Sequence, residues 1–161
     1  MTKDCLICNR ITQIQEDTNP YFVAELQTGY VVLGDFQYFH GYTLFLCKQH
    51  VSELHYLEQS VKMHFLEEMS LVAQAVFECF TPLKLNYELL GNSEPHLHWH
   101  LFPRQSNEAM LRSPVWLVDK SIRYADIARP NADQIQSLKL DLLEKLEKTA
   151  AGHIIRRYQS P

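Results

Sequence analysis

Histidine occupies every second position in "EPHLHWHLFPR", residues 94–104. On an extended strand this spacing puts His96, His98 and His100 on one face and Leu97, Trp99 and Leu101 on the other. Three chemistries can use such a row. A His-x-His pair can ligate a catalytic metal, but such sites add a carboxylate or a further histidine nearby, and positions 102 and 103 are Phe and Pro. One imidazole can act as a general base that activates water. Alternatively, an imidazole that is neutral at pH 7 can itself attack phosphorus and leave again as a phosphoramidate nitrogen. Its neighbours then donate hydrogen bonds to the phosphoryl oxygens and the leaving group. A merely solvated histidine-rich face is the competing reading. Clustering titratable groups is costly, which favours a functional one.

The remaining reactive side chains carry less information. Cys5 and Cys8 form a CxxC pair that suits a metal or ordinary thiols, and the βαβ setting of a redox motif is missing. Cys47 and Cys79 lie in apolar stretches and read as buried small hydrophobes. His55 and His64 fall on or beside an amphipathic helix. His153, Arg156 and Arg157 follow the last helix and read as helix-end charges.

The elements that must position these groups are legible in outline. "YFVAEL" (21–26) and "GYVVLGD" (29–35), separated by Gln27 and Thr28, predict a hairpin leading into a third strand, "YTLFLC" (42–47). From residue 61 to 80 the period becomes helical, with Phe65, Met69, Val72, Val76 and Phe80 on one face, widened by Leu66, Ala73 and Phe77. Thr81-Pro82 stops that helix. "LNYELLG" (85–91) and "HLHWHLF" (96–102) predict two more strands around "NSEP", and "PVWLV" (114–118) a short extended piece. Asn131 can cap a final helix, with Ile135, Leu138, Leu142 and Leu146 on one face, ending near Gly152. Strands followed by helices without βαβ alternation predict an α+β fold with an antiparallel sheet.

With 161 residues, 46% of them hydrophobic, the expectation is one domain spanning 1–161. The net charge of -4 argues against a nucleic-acid partner, since backbone phosphate binding rests on clustered Lys and Arg. A small phosphorylated ligand remains compatible. No apolar run approaches the roughly 20 residues that span a bilayer. The N-terminal segment also lacks a signal-like apolar core, so the expected location is cytoplasmic, without membrane association.

"HLHWHLF" followed by "PR" fills every position of the His-φ-His-φ-His-φ-φ motif of the histidine triad (HIT) family, and the chain resembles that family further upstream. "GYTLFLCKQH" (41–50) is similar to the preceding strand with its Pro-Lys-x-His end, and "GDF" around Asp35 to the ribose-binding acidic position. The resemblance covers about residues 4–104, leaving about 105–161 as a C-terminal extension. It implies a HIT-like fold, with a long helix before the last two core strands and a helical extension, and a homodimer. The implied activity is that of a nucleotide hydrolase or nucleotidyl transferase, most similar to bacterial diadenosine polyphosphate hydrolases. In that picture His98 is the nucleophile, His100 hydrogen-bonds the phosphate and assists departure, and His96 completes the triad. Asp35 binds ribose or serves only as a turn residue. Asn92 and Ser93 contact phosphate. Arg104 reaches a phosphate or makes a structural salt bridge. Some members, and galactose-1-phosphate uridylyltransferases, are similar in using an N-terminal CxxC, a histidine after the third strand and the first triad histidine to bind zinc. Carried over, those ligands are Cys5, Cys8, His50 and His96, a closed structural site.

Two positions depart from the family pattern. Tyr42 stands where an upstream histidine is common, which predicts a missing partner for the active-site histidines unless His40 substitutes, and it motivates an alternative reading as a nucleotide sensor with little turnover. Cys47 stands where proline is usual.

Overall fold

The computed structural model describes residues 5–159. Its centre is a six-stranded sheet in the order β4-β5-β3-β2-β1-β6, with every neighbouring pair antiparallel. The strands are β1 (Phe22–Leu26), β2 (Gly29–Leu33), β3 (Thr43–Cys47), β4 (Lys84–Glu88), β5 (His98–Arg104) and β6 (Ile154–Arg157). Four helices accompany them: α1 (Leu6–Gln15), α2 (Gln59–Phe80), α3 (Lys120–Arg123) and α4 (Ala132–Thr149). This is the expected α+β architecture, with the long helix before the last two core strands and helices in the C-terminal part.

Cross-strand register divides the sheet into two faces. Val31, Phe45 and Trp99 align across β2, β3 and β5 on the face covered by α2, where the Phe45 ring stacks on Phe65 at 5.0 Å. Val32, Leu44 and His100 align on the opposite face, as do Tyr30, Leu46 and His98. Alternation therefore sends the large apolar residues into the helical layer and the imidazoles away from it.

Long helix α2 buries much of the predicted stripe, together with Ala75, and two departures stand out. Phe77 is exposed, while Glu68 is fully buried. The Glu68 carboxylate accepts the backbone N–H groups of Gln27 and Thr28 at 2.9 Å each, and also the Thr28 hydroxyl. His153 Nδ1 lies 3.3 Å from the same carboxylate. A buried carboxylate with this many donors is compensated, and it ties the helix to the β1–β2 turn. Thr81 ends the helix in the left-handed conformation, φ 42°. Asn131 caps α4 through a capping box with Gln134, as its position suggested.

Several boundaries differ from the sequence reading. Strand β5 begins at His98, so His96 and Leu97 precede it, and it continues through Pro103 to Arg104. Residues 115–117 form a 3-10 turn rather than an extended piece. Unanticipated β6 closes the sheet against β1, because a four-residue alternation cannot be told from loop without its partner.

Candidate active site and metal centre

Hydrogen bonds assign a proton to each imidazole of the row. His98 Nδ1 lies 2.5 Å from the His96 carbonyl, which can only accept, so His98 carries its proton on Nδ1 and presents a lone pair on Nε2. That Nε2 is 3.0 Å from His100 Nε2. Two facing lone pairs would repel, so the proton between them belongs to His100. The other nitrogen of His100, Nδ1, then accepts from the Tyr42 hydroxyl at 2.6 Å. Tyr42 thus supplies the partner whose absence the sequence comparison suggested, whereas exposed His40 only packs edge-on against Phe80.

Burial enforces neutrality. Desolvation, followed by repulsion from His98, pushes the His100 pKa down from 6.5 to about 3. Burial also lowers His98, against the opposing bond to the His96 carbonyl. The Tyr42 phenol is held protonated far above its ordinary range, again mainly by burial. Gly34 makes room for this tyrosine, since a Cβ there would meet the Tyr42 ring at 2.1 Å.

Two predictions arise here. Tyr42→Phe removes one hydrogen bond, worth about 1–1.5 kcal/mol, and should lower kcat about tenfold. Nitrogen-15 chemical shifts of His100 should then report mixed tautomers; a single retained tautomer with unchanged kcat would contradict the assignment. For stability, the His100 pKa is below its unfolded value, so the unfolded chain binds more protons between the two. The contribution is fully present above pH 6.5 and is lost as pH falls toward about 3. The melting temperature should decline through that window, and less steeply in His100→Gln.

Beyond the triad the same chain of bonds reaches a second cluster. His96 is buried and its Nε2–H donates to the Cys47 carbonyl at 2.8 Å, leaving a lone pair on Nδ1. That nitrogen lies 3.6 Å from Cys5 Sγ, 3.5 Å from Cys8 Sγ and 3.2 Å from His50 Nδ1. Cys8 Sγ is also 3.2 Å from His50 Nδ1. All four donor atoms fall within 4.8 Å of one another. Tetrahedral zinc, with Zn–N near 2.0–2.1 Å and Zn–S near 2.3 Å, requires ligand separations of about 3.3–3.8 Å. The donor set fits a closed four-coordinate ion, and the Cys47 carbonyl fixes the His96 tautomer that ligation needs.

On the histidine face, an aromatic cleft of about 280 Å³ opens over Leu44 and Leu46. Its walls include Tyr42, Phe102 and Trp116, each of which packs on His100. Asp35 lines its mouth but is ion-paired with Arg10 of α1, a partner the sequence did not suggest. Asn92 lines a second cleft with His96 and His98, while Ser93 is exposed and outside that lining. Arg104 is 2% exposed and bonds Glu108 at 2.7 Å, Asn86 and the Ser113 and Met110 carbonyls. It makes the salt bridge that was one of its two readings and clamps the extension to β5. Exposed His55 and His64 stand apart from the site.

The antiparallel sheet thus carries three tautomerically ordered histidines beside an aromatic cleft, with a Cys2His2 donor cluster next to them. Consistent with this, the family model for the HIT domain matches residues 18–107. The chain belongs to the HIT-domain family. Among solved structures, a histidine triad protein from Marinobacter aquaeolei is 24% identical, with TM-score 0.69, covering 81% of this chain and 90% of that one. A histidine triad nucleotide-binding protein from Sulfolobus tokodaii is 17% identical, with TM-score 0.67 over 94% of this chain and all (100%) of that one. A Zn-bound histidine triad family protein from Mycobacterium smegmatis is 16% identical, with TM-score 0.62 over 93% and 98%. No curated protein matches. Among the described residues, no helix is long and apolar enough to cross a membrane.

Proposed function

We propose that the chain is a nucleotide hydrolase or nucleotidyl transferase that works through a covalent nucleotidyl-His98 intermediate, with diadenosine polyphosphates among its substrates. The observation that carries this reading is the His98 Nε2 lone pair, held by the His96 carbonyl and facing a single donor 3.0 Å away on His100. Nε2 attacks the α-phosphorus, forming a P–N bond as the bond to the leaving group breaks. The Nδ1 proton stays on His98, and the His96 carbonyl stabilises the resulting imidazolium. Water, or another acceptor, then attacks phosphorus, breaks the P–N bond and surrenders its proton to solvent. The imidazole returns neutral.

As a neutral ring, His100 donates a hydrogen bond to a phosphoryl oxygen rather than a proton to the leaving group. Asp35 is proposed as the ribose contact and Asn92 as a phosphate contact; Ser93 lies further out. Cys5, Cys8, His50 and His96 would hold zinc, which would anchor α1 beside β5 and leave the phosphoryl chemistry to the imidazoles. A homodimer is proposed as well, and the outer strand β4 with exposed Leu83, Tyr87, Leu89 and Leu90 offers a surface for it.

The test is AMP release from diadenosine tetraphosphate, with intact mass measured on rapidly quenched samples. A transient gain of one adenylyl group supports the reading. Nucleotide binding without any adduct or turnover would instead favour a sensor.

A further inference from the structure

Helix α1 belongs to two sites at once. Cys5, its N-cap, and Cys8 in its first turn point their sulfurs into the Cys2His2 cluster, while Leu6, Ile7 and Arg10 line the aromatic cleft. Helical spacing keeps the two sets apart, since residues three or four positions apart share a face: Cys5 with Cys8, and Arg10 with Leu6 and Ile7. The helix therefore lies between the cluster and the cleft. On the cleft side, Arg10 Nη2 donates to Asp35 Oδ2 at the mouth, and its guanidinium sits over the Tyr21 ring at 5.6 Å. Oδ1 is the second acceptor of that carboxylate.

What fixes Arg10 is the attachment of α1. At 10 residues the helix is shorter than the roughly 12–15 at which an isolated helix holds in water, so its order comes from its contacts. Ile7, Ile11 and Ile14 are buried, the Leu6 N–H donates to Glu94 Oε2 at 3.0 Å, and Asn19 Nδ2 donates to the Arg10 carbonyl at 3.3 Å. The first turn itself is capped by a thiol, Cys5 Sγ accepting the Cys8 N–H at 3.4 Å, and sulfur is a weak acceptor. A metal held by Cys5, Cys8, His50 and His96 would tie that turn to the ends of β3 and β5. The Arg10–Asp35 pair is partly solvated, its side chains 26% and 34% exposed, so it contributes little unless the helix already places the guanidinium. Attachment at the cluster thus decides whether the Asp35 carboxylate is oriented before a ligand arrives.

We infer that Arg10 is a positioning residue for Asp35 and that, through α1, it makes recognition of a ribose diol at the cleft mouth depend on metal occupancy of the cluster. The inference rests on the ribose contact and the zinc site proposed above and adds the coupling between them. By linkage the effect is reciprocal, so a nucleoside seated at Asp35 tightens the metal by the same factor. The bonds at phosphorus form on His98, away from α1. The coupling therefore falls on KM and leaves kcat in place.

Calorimetric titration with adenosine and with 2′,3′-dideoxyadenosine, on zinc-loaded and chelator-treated protein at low temperature, tests the inference without any turnover. Zinc-loaded wild type should prefer adenosine by about fivefold or more, and metal-free protein should lose most of that preference. Zinc-loaded Arg10→Gln should lose it as well, which keeps the test sound if the metal-free form unfolds, and Arg10→Lys should recover part of it. Zinc affinity, measured against a chromophoric chelator, should rise by a similar factor when adenosine is present. A hydroxyl preference that is the same with and without zinc, or the same in Arg10→Gln, overturns the coupling alone. Loaded wild type that binds both nucleosides alike, or neither, overturns the ribose contact together with the coupling, and a chain that takes up no zinc overturns the metal reading together with it. Failure of the covalent mechanism shows separately, as absence of the adenylyl adduct on His98 while the metal-dependent preference persists.

Discussion

His98→Ala should lower the turnover of diadenosine tetraphosphate by a factor on the order of 10⁴ or more and abolish the transient adenylyl mass gain. The expectation follows from tautomer, not from position alone. His98 is the one ring of the row whose unprotonated nitrogen is both fixed by a carbonyl on the far side and directed at the N–H of a neighbouring triad imidazole. His96, by contrast, spends Nε2 on Cys47 and turns Nδ1 to the cysteines. Losing the attacking nitrogen removes the covalent route itself, whereas Tyr42→Phe only loosens the orientation of His100. Near-normal turnover in His98→Ala, or an adduct that maps to another residue, would refute the mechanism. Binding of AMP by the variant serves as the control that the cleft is intact.

The second large effect is on stability. Removing metal with a strong chelator, or replacing a ligand in Cys8→Ser, should lower the melting temperature by roughly 10 °C or more, as expected for loss of a few kcal/mol in a domain of this size. Four ligands from three separate parts of the chain meet at that point: Cys5 and Cys8 at the start of α1, His50 after β3 and His96 before β5. His50 Nδ1 and His96 Nδ1 lie 3.2 Å apart with two buried thiols beside them, so these groups converge on one point that an ion would hold together. Turnover per folded molecule should survive at low temperature, because the reacting bonds form on His98. Immediate loss of activity at an unchanged melting temperature would instead identify a catalytic metal and restore the metallohydrolase reading.

How far these expectations were visible beforehand differs from residue to residue. Alternation in "HLHWHLF" placed the imidazoles on one face because strand periodicity is local, and the helical stripe around Phe65 and Val72 was readable for the same reason. Glu68, which interrupts that stripe, was not, since its burial depends on donors from Gln27 and Thr28 some 40 residues away in sequence. Tyr42 looked like a lost hydrogen-bond partner when compared by residue type. In three dimensions its longer side chain, lying over Gly34, reaches the His100 nitrogen. Arg104 was ambiguous between phosphate and salt bridge until Glu108 was seen against it.

The amino-acid sequence by itself determined the α+β layering, the long helix, the identity of the histidine strand and, through the family motif, the candidate ligands Cys5, Cys8, His50 and His96. These depend on periodicity and on residue types at short spacing. Only the tertiary structure decided which nitrogen of each histidine bears its proton, that β6 completes the sheet, and that Arg10 holds Asp35. Each of these turns on which groups from distant segments meet where water is excluded, and pairing across the fold, not local propensity, sets the cost of every buried charge and lone pair.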